Sequence, residues 1–212
     1  MDAKLAINVG EFDRGGKTRL TTIAEDHDFN PECKITPYGI FVPQLNELNL
    51  FFVSSKLTAD CIVDLLEIWW SKVKGGLTHI KKLVINQDNG PENHSRRTQF
   101  MKRIVDFAHQ SGLKIQLAYY PPYHSKYNSV ERTFGWLEQH WNGSLLDTVE
   151  TVLKFAQSLT FKGNKPVVTL VEKVYETGVT LSSKAMEEIE KQINRLPELP
   201  KWFVEITGTS TE

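Results

Sequence analysis

Two carboxylates stand where they could do chemistry. Asp88 lies within the segment Asn86-Gln87-Asp88-Asn89-Gly90, just beyond the short apolar run Leu83-Val84-Ile85, which has the character of a buried strand. A carboxylate at the carboxyl end of a strand in an α/β sheet is well placed to meet a ligand or a metal. Asp-Asn-Gly is also a favoured turn in which aspartate bonds its own backbone, and both readings stand at this level. Glu131 is the second candidate. It falls in the first turn of a predicted helix, where a negative charge complements the helix dipole, so a structural role is open here too. The segment before it points to more: Tyr119 to Asn128 combines two rigid prolines, four tyrosines, a histidine, a lysine and an asparagine. Such a loop suits stacking on bases and contact with phosphate.

The surrounding pattern shows which elements would carry these groups. Residues 5–9 alternate and precede a turn at Arg14-Gly15-Gly16-Lys17, residues 34–42 read as a strand interrupted by Pro37 and Gly39, and residues 50–53 are a short apolar run. Ile62, Leu65, Leu66, Trp69 and Val73 share one helical face, which stops at Gly75-Gly76. After Asp88, the spacing of Phe100, Ile104, Phe107 and Ala108 predicts a helix that Gly112 ends. Leu113 to Tyr119 alternates as a strand, and Val130, Phe134, Leu137 and Trp141 mark the helix that starts near Asn128. Two further helices follow, one capped by Asp147 and one by Ser182 or Ser183, the last carrying Met186, Ile189 and Ile193. Strand-helix-strand units imply parallel pairing, so the order predicts an α/β fold: a mixed sheet, antiparallel then parallel, flanked by helices. The predicted organisation is a core over residues 1–145, a helical extension packed on it over 146–206, and a disordered tail over 207–212.

Bulk properties are those of a globular chain of 212 residues, 40% hydrophobic and 24% charged, with no apolar run near the roughly 18 residues that span a bilayer. The charged start Met1-Asp2-Ala3-Lys4 is unlike a signal peptide, and the two cysteines, Cys33 and Cys61, have no metal or redox spacing, so a cytoplasmic protein is expected. A net charge of −1 argues mildly against nucleic acid. Local basic clusters soften that objection: Arg14, Lys17 and Arg19; Arg96, Arg97, Lys102 and Arg103; Lys126 and Arg132. Each could equally be a solvated face.

Here the residues resemble a known family. The segment Tyr120-Pro121-Pro122-Tyr123-His124-Ser125-Lys126-Tyr127-Asn128-Ser129-Val130-Glu131 is similar to the third-carboxylate motif of insertion-sequence transposases with an RNase H-like fold. Asp88-Asn89-Gly90 resembles their second-aspartate motif. With Pro91 to Arg97 and Lys173-Val174-Tyr175-Glu176-Thr177-Gly178 included, the chain resembles the Rhodopirellula-type DDE transposase family from Asp2 to about Phe203. The resemblance implies a first aspartate in the first strand, and Asp2 is the residue at that place; Asp13, in a turn, fits less well. Asp2, Asp88 and Glu131 would then hold two Mg²⁺ or Mn²⁺ ions, because hard cations take carboxylate oxygens and a metal pair suits in-line phosphoryl transfer. Arg96, Arg97, Lys126, His124, Asn128, Arg14 and Lys17 are the expected DNA contacts, with Asn128 also able to bond the loop or cap the helix.

The resemblance further implies DNA cleavage and strand transfer, DNA as partner, a homodimer and no membrane. Only Met1 precedes Asp2, so the first strand is expected to be incomplete and the chain N-terminally truncated. An inactive remnant that folds, oligomerises or binds DNA weakly is therefore the alternative. A third reading, an α/β hydrolase or phosphatase with Asp88 as nucleophile, lacks a second nearby acid.

Overall fold

A computed structural model describes residues 1–12, 33–120 and 128–208. The chain divides into two compact units, Met1–Lys56 with Ser129–Val174 and Leu57–Asn128 with Tyr175–Glu212. Each unit therefore joins two segments that are distant in sequence.

In the first unit, β1 (Asp2–Ala3) and β2 (Ile7–Val9) both lie antiparallel against one long strand, β3 (Cys33–Val42). β3 pairs antiparallel with β4 (Glu47–Val53), and β4 pairs in parallel with β7 (Val167–Val171). β3 runs unbroken through Pro37 and Gly39, where the composition predicts an interruption. The geometry explains Pro37. Its carbonyl accepts from the Lys4 N–H at 2.8 Å, so its missing donor faces the same side, away from the β4 ladder.

Helices α3 (Ser129–Trp141) and α4 (Val149–Ser158) complete this unit. Val130, Phe134, Leu137 and Trp141 recur at helical spacing and are buried with Ile35, Leu50, Phe52, Val152 and Ala156 in one core. Thr148, one residue beyond the expected Asp147, caps α4, its hydroxyl accepting from the Thr151 N–H at 3.1 Å.

The second unit begins with α1 (Ala59–Val73), capped by Thr58, whose hydroxyl accepts from the Cys61 N–H at 3.3 Å. β5 (Lys82–Gln87), α2 (Thr98–Ser111) and β6 (Lys114–Tyr119) then form a parallel strand-helix-strand unit, in register from Lys82 opposite Lys114 to Gln87 opposite Tyr119. Gly112, at φ 67°, ends α2 in the left-handed conformation that glycine adopts without penalty. After α5 (Ser183–Glu190), β9 (Phe203–Thr207) pairs antiparallel with both β6 and β8 (Ile193–Arg195).

Among the described residues the architecture is mixed α/β, with five α-helices and antiparallel and parallel strands, consistent with an RNase H-like fold. Its strands are divided between two mixed sheets, ordered β1-β3-β4-β7 with β2 also on β3, and β5-β6-β9-β8. The segment 146–206 supplies the two expected helices and also strands β7, β8 and most of β9. Ile193, assigned by spacing to the last helix, instead opens β8. Val167-Val168-Thr169-Leu170-Val171 is a β-branched run, and a helix-only reading of this segment overlooks it. No helix among the described residues is long and apolar enough to cross a membrane.

Candidate active site

Asp88 follows directly on β5, in the turn that Gly90 and Pro91 force on the chain. Its neighbour in space is Asn93. The Asn93 Nδ2 group donates to Asp88 Oδ1 at 3.1 Å and reaches the Asp88 carbonyl at 3.3 Å and Gln87 Oε1 at 3.4 Å. The Asn93 carbonyl in turn accepts from the Tyr119 hydroxyl at 2.8 Å and from Gln87 Nε2 at 3.4 Å. Gln87, Asn93 and Tyr119 are all buried, so this lattice of amide and hydroxyl bonds is shielded from competing water. Burial raises the Tyr119 hydroxyl well above its usual range, which keeps it a proton donor. A Cβ on Gly90 would come within 2.7 Å of Asn93 Oδ1 and 3.3 Å of Asp88 Oδ1, so any side chain there would crowd the Asn93–Asp88 contact. Asp88 itself remains half-buried.

The residues after this turn are committed to one another. Glu92 Oε2 accepts from the Ala59 N–H at the start of α1 at 3.2 Å and from Arg97 Nε and Nη2 at 3.2 and 3.1 Å. His94 Nδ1 accepts the Arg96 N–H at 3.2 Å. Burial, then the charges of Arg96 and Arg97, lower the His94 pKa against the opposing pull of Glu92. The Ser95 hydroxyl donates to the Lys201 carbonyl at 2.9 Å, and Arg195 Nη2 donates to the Ser95 carbonyl at 2.9 Å.

Asp2 and Glu131 both belong to the first unit and are anchored to the same residue, Gly39. Asp2 is the register partner of Gly39 across the β1–β3 pair. Val130, next to Glu131, is seated on Gly39 so closely that a Cβ there would collide with its Cγ2 methyl. Lys4 Nζ meets Glu138 Oε1 at 2.6 Å, a second tie between the segment after β1 and α3. Lys4 is two residues beyond Asp2, and Glu138 is seven residues, two helical turns, beyond Glu131. Asp2 Oδ1 accepts the Ala3 N–H at 2.7 Å, and both carboxylates are half-buried. Asn128, just ahead of α3, is buried and its Nδ2 donates to the Tyr120 hydroxyl, which ties together the two ends of the tyrosine-rich loop.

The basic residues separate into two groups. Arg97 is held by Glu92, Lys102 pairs with Asp106, and Arg103 meets Asp60 and Asp64 at 2.7 Å each and Glu67 at 3.2 Å. Burial opposes the charge on Arg103, but these three carboxylates outweigh it and raise its pKa further. Tyr175 adds a 3.0 Å bond to Asp64 Oδ2, so the Tyr-Glu-Thr-Gly stretch is bound to α1 through its buried tyrosine. Burial, followed by Cys61 and Asp64, raises the Tyr175 hydroxyl. Arg96 is exposed, and no acid among the described residues pairs with its side chain. Arg14, Lys17, His124 and Lys126, with Asp13, lie outside the described residues.

The structure thus places Asp2 and Glu131 in one unit and Asp88 in the other. Among the described residues no group of three His, Cys, Asp or Glu side chains is gathered to hold one ion. Gly39, Asn93, Gln87 and Tyr119 are site-building residues that side-chain chemistry alone does not single out. Gly39 carried a signal, since glycine inside a strand often marks close backbone approach. No curated protein and no solved structure matches the chain. A family model described as the Rhodopirellula transposase DDE domain matches residues 1–208, and with nearly the whole length covered the chain belongs to that family.

Proposed function

We propose that the chain catalyses metal-dependent DNA strand cleavage and strand transfer, with Asp2, Asp88 and Glu131 as its metal-holding carboxylates. The observation that carries this reading is the Gly39 junction, which anchors β1 and the start of α3 to one residue and so supports a shared role for Asp2 and Glu131. Asn93 supports the third member, because its amide restrains Asp88 Oδ1 and orients the carboxylate. The donor set fits a hard divalent cation: three carboxylates offer oxygens only, as Mg²⁺ or Mn²⁺ requires. Two bound ions would neutralise phosphate charge and sharpen the nucleophilicity of water or a 3′-hydroxyl.

In the cleavage step a water oxygen would bond to phosphorus as the P–O3′ bond breaks, and the proton given up by the water is balanced by one taken up at O3′, leaving a 3′-hydroxyl and a 5′-phosphate. In strand transfer that 3′-hydroxyl oxygen bonds to a phosphorus of the target strand and displaces the target 3′-oxygen. Arg96, exposed beside the Asp88 turn, is the strongest phosphate contact; Asn128, Arg14, Lys17, His124 and Lys126 join it in this proposal. Arg97 would have to share its guanidinium with Glu92. A homodimer belongs to the same reading: among the described residues β5 is the end strand of its sheet and carries an exposed Val84, and an unpaired strand edge favours pairing with another chain.

The test is nicking of supercoiled plasmid in Mg²⁺ or Mn²⁺, together with Mn²⁺ binding followed by electron paramagnetic resonance. Asp2→Asn, Asp88→Asn and Glu131→Gln should each reduce nicking to background and release bound Mn²⁺. Equal nicking by the Asp88→Asn protein would remove Asp88 from the site.

A further inference from the structure

Trp136 is the most exposed tryptophan-sized side chain on the first unit, at 55% of its full area, although it lies on the same helix as the buried Trp141. It is held in place: its ring meets Phe161 edge-on at 6.1 Å, and Phe161 meets Phe41 edge-on at 5.5 Å. Four residues on, His140 is fixed by Ser158 Oγ at 2.8 Å and packs edge-on against Phe155 at 6.1 Å. Four residues before, Arg132 is exposed on the same face of α3. Arg132, Trp136 and His140 thus form a row with about 6 Å of helical rise between neighbours.

A second cation converges on the row. Lys162 Nζ lies 5.6 Å from the Phe41 ring centre and 5.7 Å from that of Phe161. Its backbone sits at φ 51°, a conformation that side-chain-bearing residues rarely adopt. The turn holds it there: Phe161 and Asn164 exchange backbone bonds at 2.9 and 3.0 Å, and Asn164 Nδ2 donates to the Asn46 carbonyl at 3.3 Å. The exposed residues of α3 are Ser129, Arg132, Gly135, Trp136, Gln139 and His140, and none is acidic.

We propose that this face binds unpaired nucleotides of the DNA on which the chain acts, with a base stacked on Trp136 and the flanking phosphates met by Lys162 and Arg132. Alternating π faces and cations are what a single strand requires, since every base has a face to stack and every linkage a charge to neutralise. Isolated rings among polar groups suit bases better than they suit a protein partner, which would favour a contiguous apolar patch. The identity of the ligand rests on the DNA-processing reading, but the surface does not depend on the three carboxylates.

The experiment measures binding of fluorescent oligothymidylate and of duplex of equal length to the full chain in chelator, so that metal plays no part. The single strand should bind more tightly than duplex. Trp136→Ala should weaken single-strand binding on the order of tenfold or more, Trp136→Phe should retain most of it, and Lys162→Glu should weaken it independently. Asp88→Asn should show the same dependence on Trp136; nicking that survives in that protein would count against the carboxylate assignment and leave this surface standing. Wild-type affinity in both the Trp136→Ala and Lys162→Glu proteins overturns the proposal. So does no preference for single strand, or a Trp136→Ala protein whose mass by light scattering changes while its DNA affinity does not, which would make the face a protein interface.

Discussion

At the scale of single residues, Asn93 restrains Asp88, one of the carboxylates proposed to hold metal. A carboxylate in an exposed Asp-Asn-Gly turn samples several orientations, and each must be given up when a ligand arrives. The Asn93 amide restrains one oxygen beforehand, and Asn93 is itself held by the buried Tyr119 hydroxyl and by Gln87. Only the amide of Asn93 is used on Asp88, because the carbonyl bonded by Tyr119 is backbone. Asn93→Ala should therefore leave the fold intact by circular dichroism while lowering metal-dependent nicking or Mn²⁺ affinity by roughly 10- to 100-fold. Unchanged activity at limiting metal would show that Asp88 needs no such support.

At the scale of elements, the contact between α3 and β3 is made possible by the absence of one side chain. Helix and strand approach until Val130 occupies the space a Cβ on Gly39 would fill, with Phe134 Cζ 3.2 Å from the same point. Packing of this density leaves no slack, and added atoms force backbone shifts. Gly39→Ala should destabilise the protein by about 1–3 kcal/mol in chemical denaturation. Gly39→Ala combined with Val130→Ala should recover part of that loss, because the second change vacates the contested volume. A Gly39→Ala protein as stable as the parent would mean that α3 has room to move, and the shared anchoring of Asp2 and Glu131 would lose its basis.

At the scale of the molecule, both units are closed by chain that arrives late. Val152, Ala156, Leu159 and Phe161 enter the core of the first unit, and Val204 and Ile206, both fully buried, lie on β9 of the second. β6 has β5 on one side and β9 on the other, so removing β9 would bare its hydrogen-bonding edge as well as its apolar face. A chain ended after residue 145 should therefore lose cooperative thermal unfolding and aggregate. A soluble, cooperatively melting 1–145 fragment would show that the later segment is an addition to a self-sufficient core. DNA is the partner that the family implies, and a net charge of −1 supplies no attractive overall field, so the proposed contacts at Arg96 and Lys162 would act locally.

Local sequence was enough to determine α1, α2 with its end at Gly112, α3, β6 and the α/β class, and to narrow the cap of α5 to Ser182 or Ser183, because a helical face or an alternating strand is written in neighbouring residues. The motifs around Asp88 and Glu131 pointed to the family for the same reason: each is a short continuous stretch. Tertiary structure alone decided that β3 passes through Pro37, that the strands fall into two sheets, and that β7 and β9 join strands more than 80 residues away. It also showed that Arg97 and Arg103, basic in a one-dimensional reading, are already matched by acids. Pairing between distant strands and between distant charges depends on which surfaces meet, and no window of adjacent residues contains that information.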